Sequence, residues 1–229
     1  AAAVTISVNA GDDGFTGWTE SNTSGNGSEN GRFLGGSGTS MDTSGSAGSN
    51  ISWGLYANSS QTSSSIYSFG STLTVGDSVT ISASLGDIDT GGTVGFGLQN
   101  GSGTNRFEAY YIGGHATDAW KLNDAAGQEN ITGVTSTFVS SSWVNDNFIT
   151  FTFTLEAGDT YSLEVNGNSV SNTGLTLAAS DIEQIRIFNF NAGSGGGKNQ
   201  YFNSLNVVPE PSIALLGGLG LLGLLRRRR

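Results

Sequence analysis

With 229 residues and no cysteine, the sequence excludes disulfide scaffolds, thiolate metal centres and cysteine nucleophiles. Four of its nine basic residues are the terminal arginines; ahead of Pro209, Arg32, Arg106, Lys121, Arg186 and Lys198 face eighteen acids, and the resulting −13 argues against binding nucleic acid. Gly, Ser, Thr and Asn are abundant, yet 36% hydrophobic and 10% aromatic content argues against disorder, and the length suits one all-β unit of ~200–250 residues.

The sequence opens with Ala1-Ala2-Ala3, small residues like those flanking a signal-peptidase cut, and no Met precedes Met41. That pattern leads to the expectation of an export signal upstream. Asp12-Asp13-Gly14 is an acidic, loop-like triplet and the first candidate contributor to a metal rim. From residue 78, Val79, Ile81, Ala83 and Leu85 alternate with Ser78, Thr80, Ser82 and Ser84, which predicts a strand with one buried side.

Asp87-Ile88-Asp89 places two carboxylates at alternate positions, the spacing a jelly-roll glycosidase uses, but Gly91 follows and no Glu is near. A turn is the reading preferred here, with Asp87 and Asp89 kept as metal candidates beside Asp12 and Asp13. Val94, Phe96 and Leu98 alternate with Gly95 and Gly97 as a second strand. Tyr110 and Tyr111, then Trp120 and Trp143, lie in or near loop-rich stretches with Asp118, Asn123 and Asn145. Aromatics beside polar side chains can stack on sugar rings, so these four are the glycan-contact candidates, although aromatics in a β protein more often fill the core.

His115, the sole histidine, sits in Gly113-Gly114-His115-Ala116, and the sequence holds no GxSxG elbow, so no nucleophilic triad is expected. Asp118, Asp124, Asn189 and Asn191 could add oxygen ligands, but none has EF-hand or nonapeptide spacing. No cofactor is therefore expected beyond a structural Ca²⁺, which the loop acids leave open.

From Phe148 to Glu156, Ile149, Phe151, Phe153 and Leu155 face one way while Thr150, Thr152 and Thr154 face the other. Tyr161, Leu163 and Val165 then run into Asn166-Gly167, a strong hairpin signal because both turn positions need positive φ. Ser180 and Glu183 have capping-box spacing and predict one helical turn. Ile185 and Ile187 open another strand, and Tyr201 to Val208 supplies the last. Many short strands between Gly/Asn/Ser loops predict an all-β fold, a two-sheet antiparallel sandwich over residues 1–206.

Residues Val207 to Arg229 read VVPEPSIALLGGLGLLGLLRRRR. The prolines resist helix and separate the last strand from the apolar run beyond them. Ser212 to Leu225 is uncharged, with Ile213, Leu215, Leu216, Leu219, Leu221, Leu222, Leu224 and Leu225 as its bulky apolar members. As a short C-terminal hydrophobic helix it would reach ~21 Å at ~1.5 Å per residue. That falls short of a ~30 Å hydrocarbon core and suits a transient anchor. Arg226, Arg227, Arg228 and Arg229 favour the cytoplasmic side, leaving the body outside.

This order of parts resembles the PEP-CTERM sorting signal: Pro209-Glu210-Pro211, a short apolar run and a basic end. The resemblance implies recognition of Pro209, Glu210 and Pro211 by an exosortase, a membrane-embedded cysteine transpeptidase. It also implies transient insertion in the inner membrane of a Gram-negative cell that makes extracellular polysaccharide, with Arg226 to Arg229 as the stop. No LPxTG-like motif is present, and a GPI signal does not usually end in basic residues. The body resembles the concanavalin A-like jelly rolls found ahead of such tails, through its strand pattern and a final strand YFNSLNVV that leads into Pro-Glu-Pro. These readings lead to the expectation of an exported, non-enzymatic surface or matrix protein, cleaved near Pro209. A lectin-like polysaccharide-binding module and, less favoured, a divergent glycosidase are the alternatives.

Overall fold

Strands that alternate apolar and polar residues have one side to bury, and two sheets laid face to face bury all those sides at once. The computed structural model describes residues 5–22, 29–35, 51–58, 60–85, 88–114, 120–133, 149–172 and 174–210, and it has that arrangement. Its elements begin with β1 (Ile6–Val8), α1 (Ala10–Asp13), β2 (Trp18–Glu20), β3 (Asn30–Leu34), β4 (Trp53–Ala57) and β5 (Thr62–Ser68). The central strands are β6 (Ser78–Leu85), β7 (Thr93–Gln99), β8 (Asn105–Ile112), β9 (Lys121–Asp124) and β10 (Gly127–Asn130). Then come β11 (Ile149–Glu156), β12 (Thr160–Val165), β13 (Asn168–Ser169), β14 (Gln184–Phe190), a 3-10 turn at Gly196–Lys198, and β15 (Gln200–Val208).

The first sheet has the order β13-β12-β11-β6-β15-β4-β3, with β1 also beside β15; the second has β10-β9-β8-β7-β14-β5-β2. The named pairs are antiparallel, so the expected sandwich is what forms. Strands predicted from alternating apolar residues appear as β6, β7, β11, β12 and β14, and the predicted last strand as β15. The Asn166-Gly167 turn has φ of 49° and 75°, the left-handed pair that a two-residue hairpin requires.

The core is cross-braced by rings from opposite sheets. Phe96 of β7 meets Phe151 of β11 at 5.2 Å, and Phe107 of β8 meets Phe153 at 5.3 Å and Tyr161 at 5.1 Å. Such pairs add ~0.5–1.5 kcal/mol each beyond the burial of their surface. At the bulge in β15, buried Asn203 accepts from the Ala10 amide (2.8 Å) and its own neighbour's, Ser204 (2.8 Å), and donates to the Ile51 carbonyl (3.0 Å). One side chain thus fills the backbone valences that the bulge opens.

One local expectation fails. Ser180 to Glu183 forms no helical turn: the Glu183 amide donates to Gln99 O (2.8 Å) and its carbonyl accepts from the Phe69 amide (2.8 Å). The sheet takes the backbone groups that a helix would have used, and the Glu183 carboxylate accepts from the Thr72 hydroxyl (2.9 Å) instead of capping. The expected C-terminal helix lies outside the described residues, among which no helix is long and apolar enough to cross a membrane.

Candidate functional site

The outward face of the second sheet carries a groove, and in strand register two glycines of β7 lie between its flanking side chains. On β7 the inward side chains are Val94, Phe96 and Leu98, so Gly95 and Gly97 point outward. The register sets Gly95 between Tyr110 of β8 and Phe188 of β14, and Gly97 between Glu108 and Arg186. At these two positions β7 raises no side chain where the neighbouring strands do. A Cβ at Gly95 would run into the backbone of Ala109 and Tyr110; one at Gly97 would sit 3.2 Å from Glu108 Cγ. The groove has a volume of about 370 Å³, with Tyr110, Phe188, Glu108 and Arg186 around its centre and Thr93, Gln128 and exposed Phe190 further along. That volume and mixed lining fit a small polar ligand with an apolar side.

A relay of amides fixes its one acidic group. Gln184 Nε2 donates to Gln99 Oε1 (3.0 Å), and Gln99 Nε2 to Asn105 Oδ1 (2.7 Å). Asn105 Nδ2 donates to Glu108 Oε1 (2.6 Å), and Asn123 Nδ2 to Glu108 Oε2 (3.0 Å). Each carboxylate oxygen is thereby held by a neutral donor and keeps a lone pair for another. Arg186 lies over the Phe188 ring, 5.0 Å from its centre. Withdrawal from water lowers its pKa, with Glu108 opposing. Burial, and then the charge of Glu108, push the Tyr110 phenol up. It stays protonated and able to donate.

The sequence-predicted residues separate. Tyr110 lines the groove. Tyr111 and Trp120 do not: they are 2% and 1% exposed, packed in the core with ring centroids 6.5 Å apart, and Trp120 also meets Phe151 at 4.8 Å. Both tyrosines belong to strand β8 rather than a loop, and its period of two sends neighbours to opposite faces. Trp143 lies outside the described residues, as do Asp87, Asp118 and His115.

Asp12 and Asp13 brace Asn9 at the start of α1, through Asn9 Nδ2 to Asp12 Oδ2 (3.1 Å) and the Asn9 amide to Asp13 Oδ2 (2.8 Å). Asp89 pairs with Lys198 (2.8 Å), and Asp124 accepts from the Tyr161 hydroxyl (2.8 Å). Asn189 is buried and donates to Leu55 O (3.0 Å); Asn191 accepts from the Ser60 amide (2.8 Å). Among the described residues no group of three or more acidic or histidine side chains could hold a metal ion. Glu108, Arg186, Phe188 and the glycine pair were not singled out from sequence. Their outward parity could be read beside Phe107, Ile187 and Phe96, but their convergence depends on which strands are neighbours.

The tail starts directly on the body. β15 ends at Val208, and two residues later the Glu210 amide donates to Asp77 Oδ1 (3.0 Å). The PEP-CTERM protein-sorting motif family matches residues 207–229. The chain carries a PEP-CTERM sorting motif. This PEP-CTERM signal marks the chain for export toward the cell envelope. Pro211, the apolar run and the four arginines lie outside the described residues. No curated protein matches the chain as a whole.

Solved structures share the fold of the body. The globular domain of calreticulin from T. cruzi superposes with a TM-score of 0.54 at 10% identity, covering 98% of this chain and 99% of that one. The cellulose-induced protein Cip1 superposes at 0.55 and 14% identity over 89% and 96%. The apo Crh5 transglycosylase does so at 0.53 and 13% identity over 92% and 86%. At such identities the likeness is one of fold, a concanavalin A-like jelly roll, ahead of the PEP-CTERM motif.

Proposed function

We propose that this is a non-enzymatic surface or matrix protein, sorted and cut through its PEP-CTERM tail by an exosortase-type enzyme, whose second-sheet groove binds extracellular polysaccharide. The observation that carries the binding role is the groove itself. A pyranose has apolar C–H faces and a rim of hydroxyls. Tyr110 and Phe188 offer apolar walls across the Gly95 floor, and Glu108 offers acceptor sites held in place by two amides. Gln128 and Arg186 add donors.

The same lining supports a non-enzymatic role. Glycoside hydrolysis needs two carboxylates about 5–10 Å apart on either side of the scissile bond. Glu108 is the one carboxylate among the residues that line this groove. The kinship of fold with a transglycosylase and a cellulose-induced protein supports a carbohydrate ligand without specifying chemistry.

Binding is tested with the full-length protein in detergent micelles against immobilised neutral and acidic bacterial polysaccharides. Saturable binding that Tyr110→Ala weakens about tenfold supports the assignment, and silence across the panel ends it. Sorting is tested by expression with and without an exosortase. Loss of the tail's mass only when the enzyme is present is the expected result; unchanged mass in both cells counts against cleavage.

A further inference from the structure

No linker separates the folded body from its sorting signal. Val207 and Val208 are still in the ladder opposite Val79 and Ser78 of β6, and Ile6 of β1 pairs with Val207 on the other side. The next residue is Pro209. Past it the chain turns onto the loop ahead of β6, where the Glu210 amide donates to Asp77 Oδ1 at 3.0 Å.

That acceptor is built before Glu210 arrives. Asp77 is 2% exposed, and its other oxygen, Oδ2, takes the amide (2.8 Å) and the hydroxyl (3.0 Å) of Thr74. Its backbone carbonyl accepts from the Leu155 amide (3.0 Å), while the Gly76 amide donates to Leu155 O (2.8 Å). The turn from Thr74 to Asp77 is thus tied to β11 and presents one remaining carboxylate oxygen toward the end of β15. A hydrogen bond to an ionised acceptor is stronger than one between neutral groups.

Gly76 supplies the second half of the contact. Its φ is +92°, and a Cβ there would occupy the space of the Glu210 side chain. The absence of a side chain lets Glu210 lie along bare backbone. The backbone of Glu210 is therefore held by Asp77 while its side chain passes over Gly76 and stays exposed.

We propose that the Thr74–Asp77 turn is a docking site for Glu210 of the chain's own sorting motif, so that the processing enzyme gains the motif only when Glu210 lifts off. The gating role rests on the sorting reading above; the docking does not. Undocking is a local event, so it need not unfold the sandwich. Maturation would then be limited by a step that belongs to the substrate's body.

The test compares the full chain in detergent micelles with a variant carrying six Gly/Ser residues between Val208 and Pro209, which frees the motif without touching the body. By NMR hydrogen exchange, the Glu210 amide in the natural chain should exchange roughly tenfold or more slowly than in the insertion variant, the order expected for one made hydrogen bond. Asp77→Ala should abolish that protection; unchanged exchange in β6 and β11 checks that its fold survives. In cells with the processing enzyme, pulse-chase should show the insertion variant maturing several-fold faster. Exchange of Glu210 at the rate of an unstructured peptide in the natural chain overturns the docking. Protection with equal maturation rates overturns the gating. If neither form ever matures, the sorting reading falls and the gating with it, while exchange at Glu210 still decides the docking.

Discussion

The outward faces of the two sheets are built on the same alternation and do opposite things. On the first sheet, β6 and β11 present hydroxyls that answer one another: Thr80 Oγ1 lies 3.1 Å from Thr152 Oγ1, and Ser82 Oγ lies 3.1 Å from Thr150 Oγ1. Each of these four hydroxyls has its partner within the sheet. On the second sheet the central strand withholds its side chains at Gly95 and Gly97, and the neighbours on both sides are aromatic or charged. The difference is that the face proposed to bind lies where a row of side chains is interrupted and the flanking strands raise aromatic and charged groups. A row of self-paired hydroxyls contributes stability and little else.

The sharpest way to break that comparison is to truncate two aromatics that the sequence treats alike. Trp120→Ala should cost about 3–5 kcal/mol, the usual range for removing a large buried ring, with no separate effect on the groove. Urea unfolding followed by circular dichroism measures it. Tyr110→Ala should leave the unfolding midpoint nearly unchanged and weaken polysaccharide binding about tenfold, or about 1.4 kcal/mol. If Tyr110→Ala destabilises as much as Trp120→Ala, the groove wall is structural and the contrast between faces fails.

The hydroxyl ladder makes a smaller claim. A double-mutant cycle on Thr80→Ala and Thr152→Ala should return a coupling of about 0.2–1 kcal/mol, the size typical of cross-strand pairs. Neither change should alter polysaccharide binding. A loss of binding in either variant would place a ligand on the first sheet and reverse the assignment of the two faces.

How far the sequence alone reaches obeys the same division. Period-two alternation locates β6, β7, β11, β12 and β14, and Asn166-Gly167 locates a hairpin, because both signals are local and each is imposed by backbone geometry. The tail was legible for a related reason: its order of prolines, apolar run and arginines is contiguous. The groove was not. Glu108 acquires its amide donors from Asn105 within β8 and Asn123 on β9, and it meets Arg186 across β7, so its surroundings are a product of strand order. Tyr110 and Tyr111 share one loop-rich stretch of sequence, yet on strand β8 parity alone divides wall from core. The Ser180–Glu183 pattern failed because non-local hydrogen bonds to Gln99 and Phe69 outweighed a local capping preference.

The smallest predicted effect concerns the brace at the edge of the groove face. Arg106, at the bulge where β8 slips against β7, grips Asp181 with two bonds, Nε to Oδ1 (2.5 Å) and Nη2 to Oδ2 (3.0 Å), tying β8 to the segment that leads into β14. The Arg106 guanidinium, with Asn100 assisting, holds the Asp181 carboxyl below the usual carboxylate range against the opposing effect of burial. A carboxyl whose folded pKa lies below its unfolded value of about 3.9 stabilises the fold above that value, and the contribution is lost as pH falls through the folded pKa. Because the Asp181 side chain is 47% exposed, solvent screening limits the effect to about 0–1 kcal/mol. Urea midpoints at about pH 6 and pH 3 should therefore differ slightly less in Asp181→Asn than in the natural chain, and added salt should shrink the gap between the two proteins. A gap that persists in high salt would mean that Asp181 acts through packing rather than charge. The two walls of the groove would then be spaced by the segment itself and not by the ion pair that crosses to it.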